Sequence, residues 1–235
     1  MPHPVIALVL SMTTSTMGAA PAPELSVRYE RPDSPRAEQA KELLKDSGAL
    51  KTRIRLPKPV KVVARDCDEP SASWDGDERR ITICYSLVDK VRRTMTGIAE
   101  TEEADARTAK ARTEGALAVL FHHQLGHALS AMNGLDGGHA QADQFAALTL
   151  AADAPEHVVR AAEARHLLAG HAGIDHLSGL AESATFACLL YGSDPAKNAR
   201  IAQGGWVPAE RAPSCTGEYE RVKSAIGAMA VKVRT

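Results

Sequence analysis

The chain has 235 residues, with 28 Lys and Arg against 29 Asp and Glu, 44% hydrophobic residues and 4% aromatic ones. That length suits one globular domain or two small ones, and a formal net charge of -1, without a long run of one sign, offers no basic face to nucleic acid or anionic lipid. No apolar stretch approaches the roughly 20 residues that span a bilayer, so no membrane span is expected.

In chain order, the apolar run Val5 to Leu10 leads into Met17-Gly18-Ala19-Ala20-Pro21-Ala22. Residues 1–22 therefore read as a secretory signal peptide, although no Lys or Arg precedes Arg28, and the mature protein is expected to be secreted, extracellular or periplasmic. Residues 23–35, rich in Pro, Ser and charge, read as a linker, and residues 36–235 as a single domain. Ser34-Pro35 supplies a capping residue and a first-turn proline for a short amphipathic helix that ends near Gly48. The alternating Val60, Val62 and Ala64, the turn pair Asp75-Gly76 and then Ile81 and Ile83 predict a β-hairpin. From Thr101 the pattern becomes helical. Apolar and small residues recur through Ala116, Leu120, His123, His127 and Ala131 until Asn133-Gly134 stops the helix. Further helices are expected from about His139 to Ala152, Pro155 to Leu168 and Leu177 to Tyr191. The order predicts an α+β fold, mostly helical, with a small antiparallel β-hairpin or sheet to one side.

Four cysteines, Cys67, Cys84, Cys188 and Cys215, contain no CxxC pair and allow three pairings. The two sequence-local bridges, Cys67–Cys84 and Cys188–Cys215, are expected, and they agree with export to an oxidising compartment.

The segment that carries chemistry is Phe121-His122-His123-Gln124-Leu125-Gly126-His127. Residues four apart share a helix face, so His123 and His127 can offer two imidazole nitrogens to one metal ion, in the manner of an H-E-x-x-H zinc site. A catalytic zinc needs a third protein ligand. The next predicted helix offers His139 and Asp143, again four apart. The reading assigns His139 to the metal and Asp143 to the spare N–H of a ligand histidine, with Asp143 as the alternative third ligand. His122 falls one residue off this stripe and reads as a polar residue on a neighbouring helix face. No G-x-S-x-G elbow or glycine-rich phosphate loop is present, which argues against serine hydrolysis and nucleotide binding.

Three blocks carry a resemblance to a family. They are Leu56-Pro57 through Cys67 with Ile81-Thr82-Ile83-Cys84-Tyr85; His123 to Leu129 with Ala142-Asp143-Gln144-Phe145-Ala146; and Cys188-Leu189-Leu190-Tyr191-Gly192-Ser193-Asp194-Pro195 with Cys215. Over roughly residues 50 to 220 the chain resembles the putative metallopeptidase family of secreted bacterial proteins, which bears an H-E-x-x-H motif. The resemblance implies a zincin-like fold, a zinc cofactor and hydrolysis of peptide bonds. Two departures bear on mechanism. Where the family has its motif glutamate this chain has Gln124, which cannot take a proton from the attacking water or return it to the leaving amine. His139 stands where the family tends to place acidic residues, and three histidines remain a competent zinc set. His176 matches a family histidine that could donate to the transition state. Glu182, in the last predicted helix, could replace the missing carboxylate.

Two functional readings follow. The first is a secreted zinc metallopeptidase homologue, impaired at Gln124. The second is a non-catalytic pseudopeptidase whose cleft binds a peptide or protein. Both take a peptide or protein partner.

Overall fold

The structure, a computed structural model, describes residues 25–232 except 53, 55, 136, 170 and 172–178, with side chains described up to residue 227. The expected signal peptide (1–22) and His176 lie outside the described residues.

Four strands, β1 (Leu25–Tyr29), β2 (Val60–Arg65), β3 (Ala72–Asp75) and β4 (Arg80–Cys84), form one sheet in the order β1-β2-β4-β3. The alternation read in β2 and β4 is real, since Val60, Val62, Ala64, Ile81 and Ile83 are all buried. Their pairing differs from the expectation. β2 and β4 run parallel, Val62 opposite Ile81 and Ala64 opposite Ile83. The antiparallel hairpin at Asp75-Gly76 is instead made by β3, with Trp74 opposite Ile81. Two runs of the same direction cannot be joined by a tight turn, so the chain first comes back along β3. The Asp75 carboxylate accepts the Glu78 N–H to close that turn.

The linker reading of residues 23–35 also needs correction, because Leu25–Tyr29 is β1, parallel to β2 in the register Leu25–Val60 to Tyr29–Ala64. The intervening helix α1 (Pro35–Asp46) makes this a β-α-β crossover. The Ser34 hydroxyl accepts the Ala37 N–H at its N-terminus, and Pro35 occupies the first turn.

Among the described residues seven more helices follow: α2 (Tyr85–Thr101), α3 (Ala106–Met132), α4 (His139–Asp153), α5 (Val158–Leu168), α6 (Leu180–Ser193), α7 (Ala199–Gln203) and α8 (Cys215–Lys232). A 3-10 turn, Pro155–His157, precedes α5, and another, Ala212–Ser214, precedes α8. The chain is thus mostly helical with one small mixed sheet, an α+β architecture. Helix α3 is its axis. The Asp105 carboxylate caps it by accepting the Thr108 N–H, and every residue from Gly115 to Gly126 is buried. A helix buried all round belongs inside a layer of others, and α3 packs against α2, α4 and α5 as well as β3 and β4. Two glycines permit this. A Cβ at position 115 would overlap the carbonyl of Arg160 on α5, and one at position 126 would overlap the carbonyl of Ala142 on α4. Both expected disulfides form: Cys67–Cys84 joins the ends of β2 and β4, and Cys188–Cys215 joins α6 to α8. No helix among the described residues is long and apolar enough to cross a membrane.

Candidate metal centre

Helix α3 carries His123 and His127 one turn apart, and the close approach allowed by Gly126 brings in the first turn of α4 with His139 and Asp143. Three ring nitrogens converge there. His123 Nε2 lies 3.1 Å from His127 Nε2 and 3.2 Å from His139 Nδ1, and the last two are 3.3 Å apart. Nitrogens at about 2.0–2.1 Å from a tetrahedral zinc stand about 3.3 Å from one another, so this donor set fits the ion. Among the described residues this is the one group of three or more His, Cys, Asp or Glu side chains with donor atoms close enough to hold a metal. Burial grades across it: His123 is fully buried, His127 is half-buried and His139 is exposed, which gives the centre a solvent side.

The orientation of His123 is fixed from behind. Its Nδ1 lies 2.7 Å from Asp143 Oδ1, and the other carboxylate oxygen, Oδ2, accepts from Arg165 Nη2 at 3.1 Å. Burial raises the Asp143 pKa, but the His123 hydrogen bond and the Arg165 guanidinium outweigh it and hold the carboxyl below its usual value. An ionised Asp143 accepts the Nδ1–H, which leaves the Nε2 lone pair facing the other two rings. Asp143 thus stands behind His123 rather than among the converging donors. Sequence reasoning missed Arg165. It lies on the buried face of α5 with Ala161, Ala162 and Leu168 and is only 2% exposed. A charged residue on an apolar stripe is itself the signal of a buried partner.

Gln124 is 2% exposed and lines a cleft of about 310 Å³ with His127, Ser130 and the edge strand β3 through Ala72, Ser73 and Trp74. Its side-chain Nε2 is buried without a hydrogen-bond partner among the described residues. Among the described residues that line this cleft there is no carboxylate. Glu182 sits exposed in the first turn of α6, folded back against Gly179, and makes no hydrogen bond to the histidines among the described residues. His122 points elsewhere. It is fully buried on a different face of α3, where its Nδ1 lies 2.8 Å from Thr149 Oγ1 and burial pushes its pKa down to about 4.

No curated protein and no solved structure matches the chain. A family model does, over residues 29–229, a span that holds the three histidines, the Asp143–Arg165 pair and all four cysteines. The chain belongs to the putative metallopeptidase family.

Proposed function

We propose that the protein is an exported homologue of zinc peptidases, with zinc held by His123, His127 and His139 and hydrolysis impaired at Gln124. The observation that carries this reading is the triangle of ring nitrogens 3.1 to 3.3 Å apart. Three lone pairs directed at one another repel unless a cation lies among them. Zinc bound there would supply Lewis acidity, polarising a carbonyl and acidifying a water molecule. The chain's own residues do the rest. Asp143, braced by Arg165, orients His123. The edge strand β3 beside the cleft offers main-chain groups to an extended peptide. Gln124 takes the place next to His123 where proton transfer is needed, and a neutral amide supplies none. Two disulfides support an extracellular or periplasmic location.

Elemental analysis of the oxidised protein tests the centre. About one zinc per chain, lost on replacing His123 and His127 by Ala, is expected. Absence of zinc from the unaltered protein overturns it.

A second reading, a pseudopeptidase that holds a peptide without cutting it, is favoured by the Gln124 Nε2, which has no partner among the described residues. An N–H donor in the cleft suits a peptide carbonyl or carboxylate. Retention of intact peptides by the zinc-loaded protein supports this reading. Cleavage abolished by a chelator defeats it.

A further inference from the structure

The two disulfides differ in setting. Cys188 and Cys215 are both fully buried, whereas Cys67 is partly exposed in the loop between β2 and β3, beside the exposed Asp68, Glu69 and Pro70. Its partner Cys84 is buried and occupies the N-cap of α2. Helix N-termini leave N–H groups without an intrahelical partner and carry a partial positive charge. At α2 the Cys84 side chain makes no capping hydrogen bond, and the first turn holds no acidic residue. A bridged sulfur is a weak acceptor, so the oxidised cysteine does little for that helix end. Helix α8 also begins at a bridged cysteine, Cys215, but there Glu218 brings negative charge to the first turn.

Reduction changes the chemistry of this position. A thiolate at Cys84 is a charged acceptor at an N-cap, where Ser or Asp does most to satisfy a helix, and the same location lowers a thiol's pKa. The Ser71 hydroxyl lies 3.2 Å from Cys84 Sγ. A bridged sulfur has no hydrogen, so the hydroxyl donates, and its bond to a thiolate is stronger. Cys84 is thus the better leaving group and Cys67 the more reachable sulfur. The loop leads directly into β3, whose Ala72, Ser73 and Trp74 line the cleft beside His127. Strand β3 is a four-residue edge strand that buries only Ala72. The bridge, together with the Cys84 N–H donated to the Ser71 carbonyl at 3.0 Å, fastens that loop to the sheet.

We propose that Cys67–Cys84 is a reversible redox switch, opened by a dithiol reductant, which frees the loop before β3 and loosens that strand along the cleft. One thiolate of the reductant attacks Cys67 Sγ, forms a mixed disulfide and expels the Cys84 thiolate. The reductant's second thiolate then attacks its own sulfur in the mixed disulfide and releases the Cys67 thiolate, which takes a proton from water. Two electrons pass to the bridge, and the dithiol ends as a disulfide. The consequence for peptide binding rests on the cleft reading above, whereas the opening of the bridge depends on neither zinc nor peptide.

The test equilibrates the full-length oxidised protein with graded ratios of reduced and oxidised dithiothreitol, quenches in acid, alkylates, and follows each cysteine pair by peptide mass spectrometry. Cys67–Cys84 is expected to open with an equilibrium constant about tenfold or more above that of Cys188–Cys215, a difference of about 30 mV. With only the first bridge open, circular dichroism stays the same, amide exchange in β3 rises about tenfold or more, and exchange within α3 does not change. In Cys67→Ser, which keeps the second bridge and leaves Cys84 as the one free thiol, thiolate absorbance rises with a midpoint below the ordinary thiol value of about 8.5. The proposal is overturned if the bridges open together or in the reverse order, if the Cys84 midpoint lies at or above that value, or if β3 exchange ignores reduction. Loss of helical circular dichroism on opening the first bridge overturns it too, because the bridge would then hold the whole fold rather than one strand.

Discussion

His123 depends on a chain of two further residues, since the Arg165 guanidinium bonds one oxygen of Asp143 while the other accepts the imidazole N–H. A ligand ring held this way is more basic and loses little freedom on binding. Asp143→Asn is therefore expected to lower zinc affinity about 10- to 100-fold, measured by competition with a chromophoric chelator, with Arg165→Met shifting it in the same direction through Asp143 alone. Unchanged affinity in both would make the pair merely structural. Gln124 is the complementary case, a buried amide at the position where the proposed reaction needs a base. Gln124→Glu places a carboxylate in the same buried spot beside His127. It should raise the hydrolysis rate of the zinc-loaded protein on a mixed peptide library by about 10²- to 10⁴-fold, the usual contribution of a positioned base. A null result with zinc confirmed would put the defect beyond that one side chain.

Among the elements, the α3–α4 contact decides whether the three histidines meet, because they come from both helices and Gly126 sets the separation. Gly126→Ala should cost about 1–3 kcal/mol by overpacking and should also weaken zinc binding. Gly97→Ala, where a Cβ meets nothing within 4 Å in the middle of α2, should instead stabilise by about 0.5–1 kcal/mol and leave zinc alone. Chemical denaturation with and without zinc separates the two effects. The helices of the site were readable because strong signals bound them: Asn133-Gly134 after α3, and the recurring apolar residues of α3 and α4. The His123–His127 spacing followed from the helix period. The less visible elements are those with little to bury or with a diluted pattern. β1 exposes Ser26, Val27 and Arg28, and β3 buries only Ala72 among its four residues. α2 does carry an apolar row at Val88, Val91, Met95 and Ala99, but Thr94, Thr96 and Gly97 weaken the helical signal around it. The direction of β2 against β4 could not be read at all, since both pairings bury the same Val and Ile face.

For the whole molecule, the disulfides and the proposed metal centre tie together different parts. Cys67–Cys84 closes the sheet and Cys188–Cys215 ties α6 to α8, while the three histidines join α3 to α4. A bridge across a separation of 27 residues restricts the unfolded chain by about 3–4 kcal/mol. Replacing Cys188 and Cys215 by Ser should then lower the melting temperature by about 7–14 °C for a chain of this size. Zinc at about 100 times its dissociation constant adds about 2.7 kcal/mol to the native state, a rise of about 5–11 °C. Because the bridge and the ion share no residue, the two changes should add: calorimetry of the Cys-to-Ser protein should show the same zinc-induced rise as the parent. The alternative outcome has a definite structural meaning. α6 packs against α4 as well as α8, so if the bridge helps hold α4 in place, the zinc-induced rise will shrink in the variant. His139, at the exposed first turn of α4, would then be the ligand whose placement the distant disulfide supports.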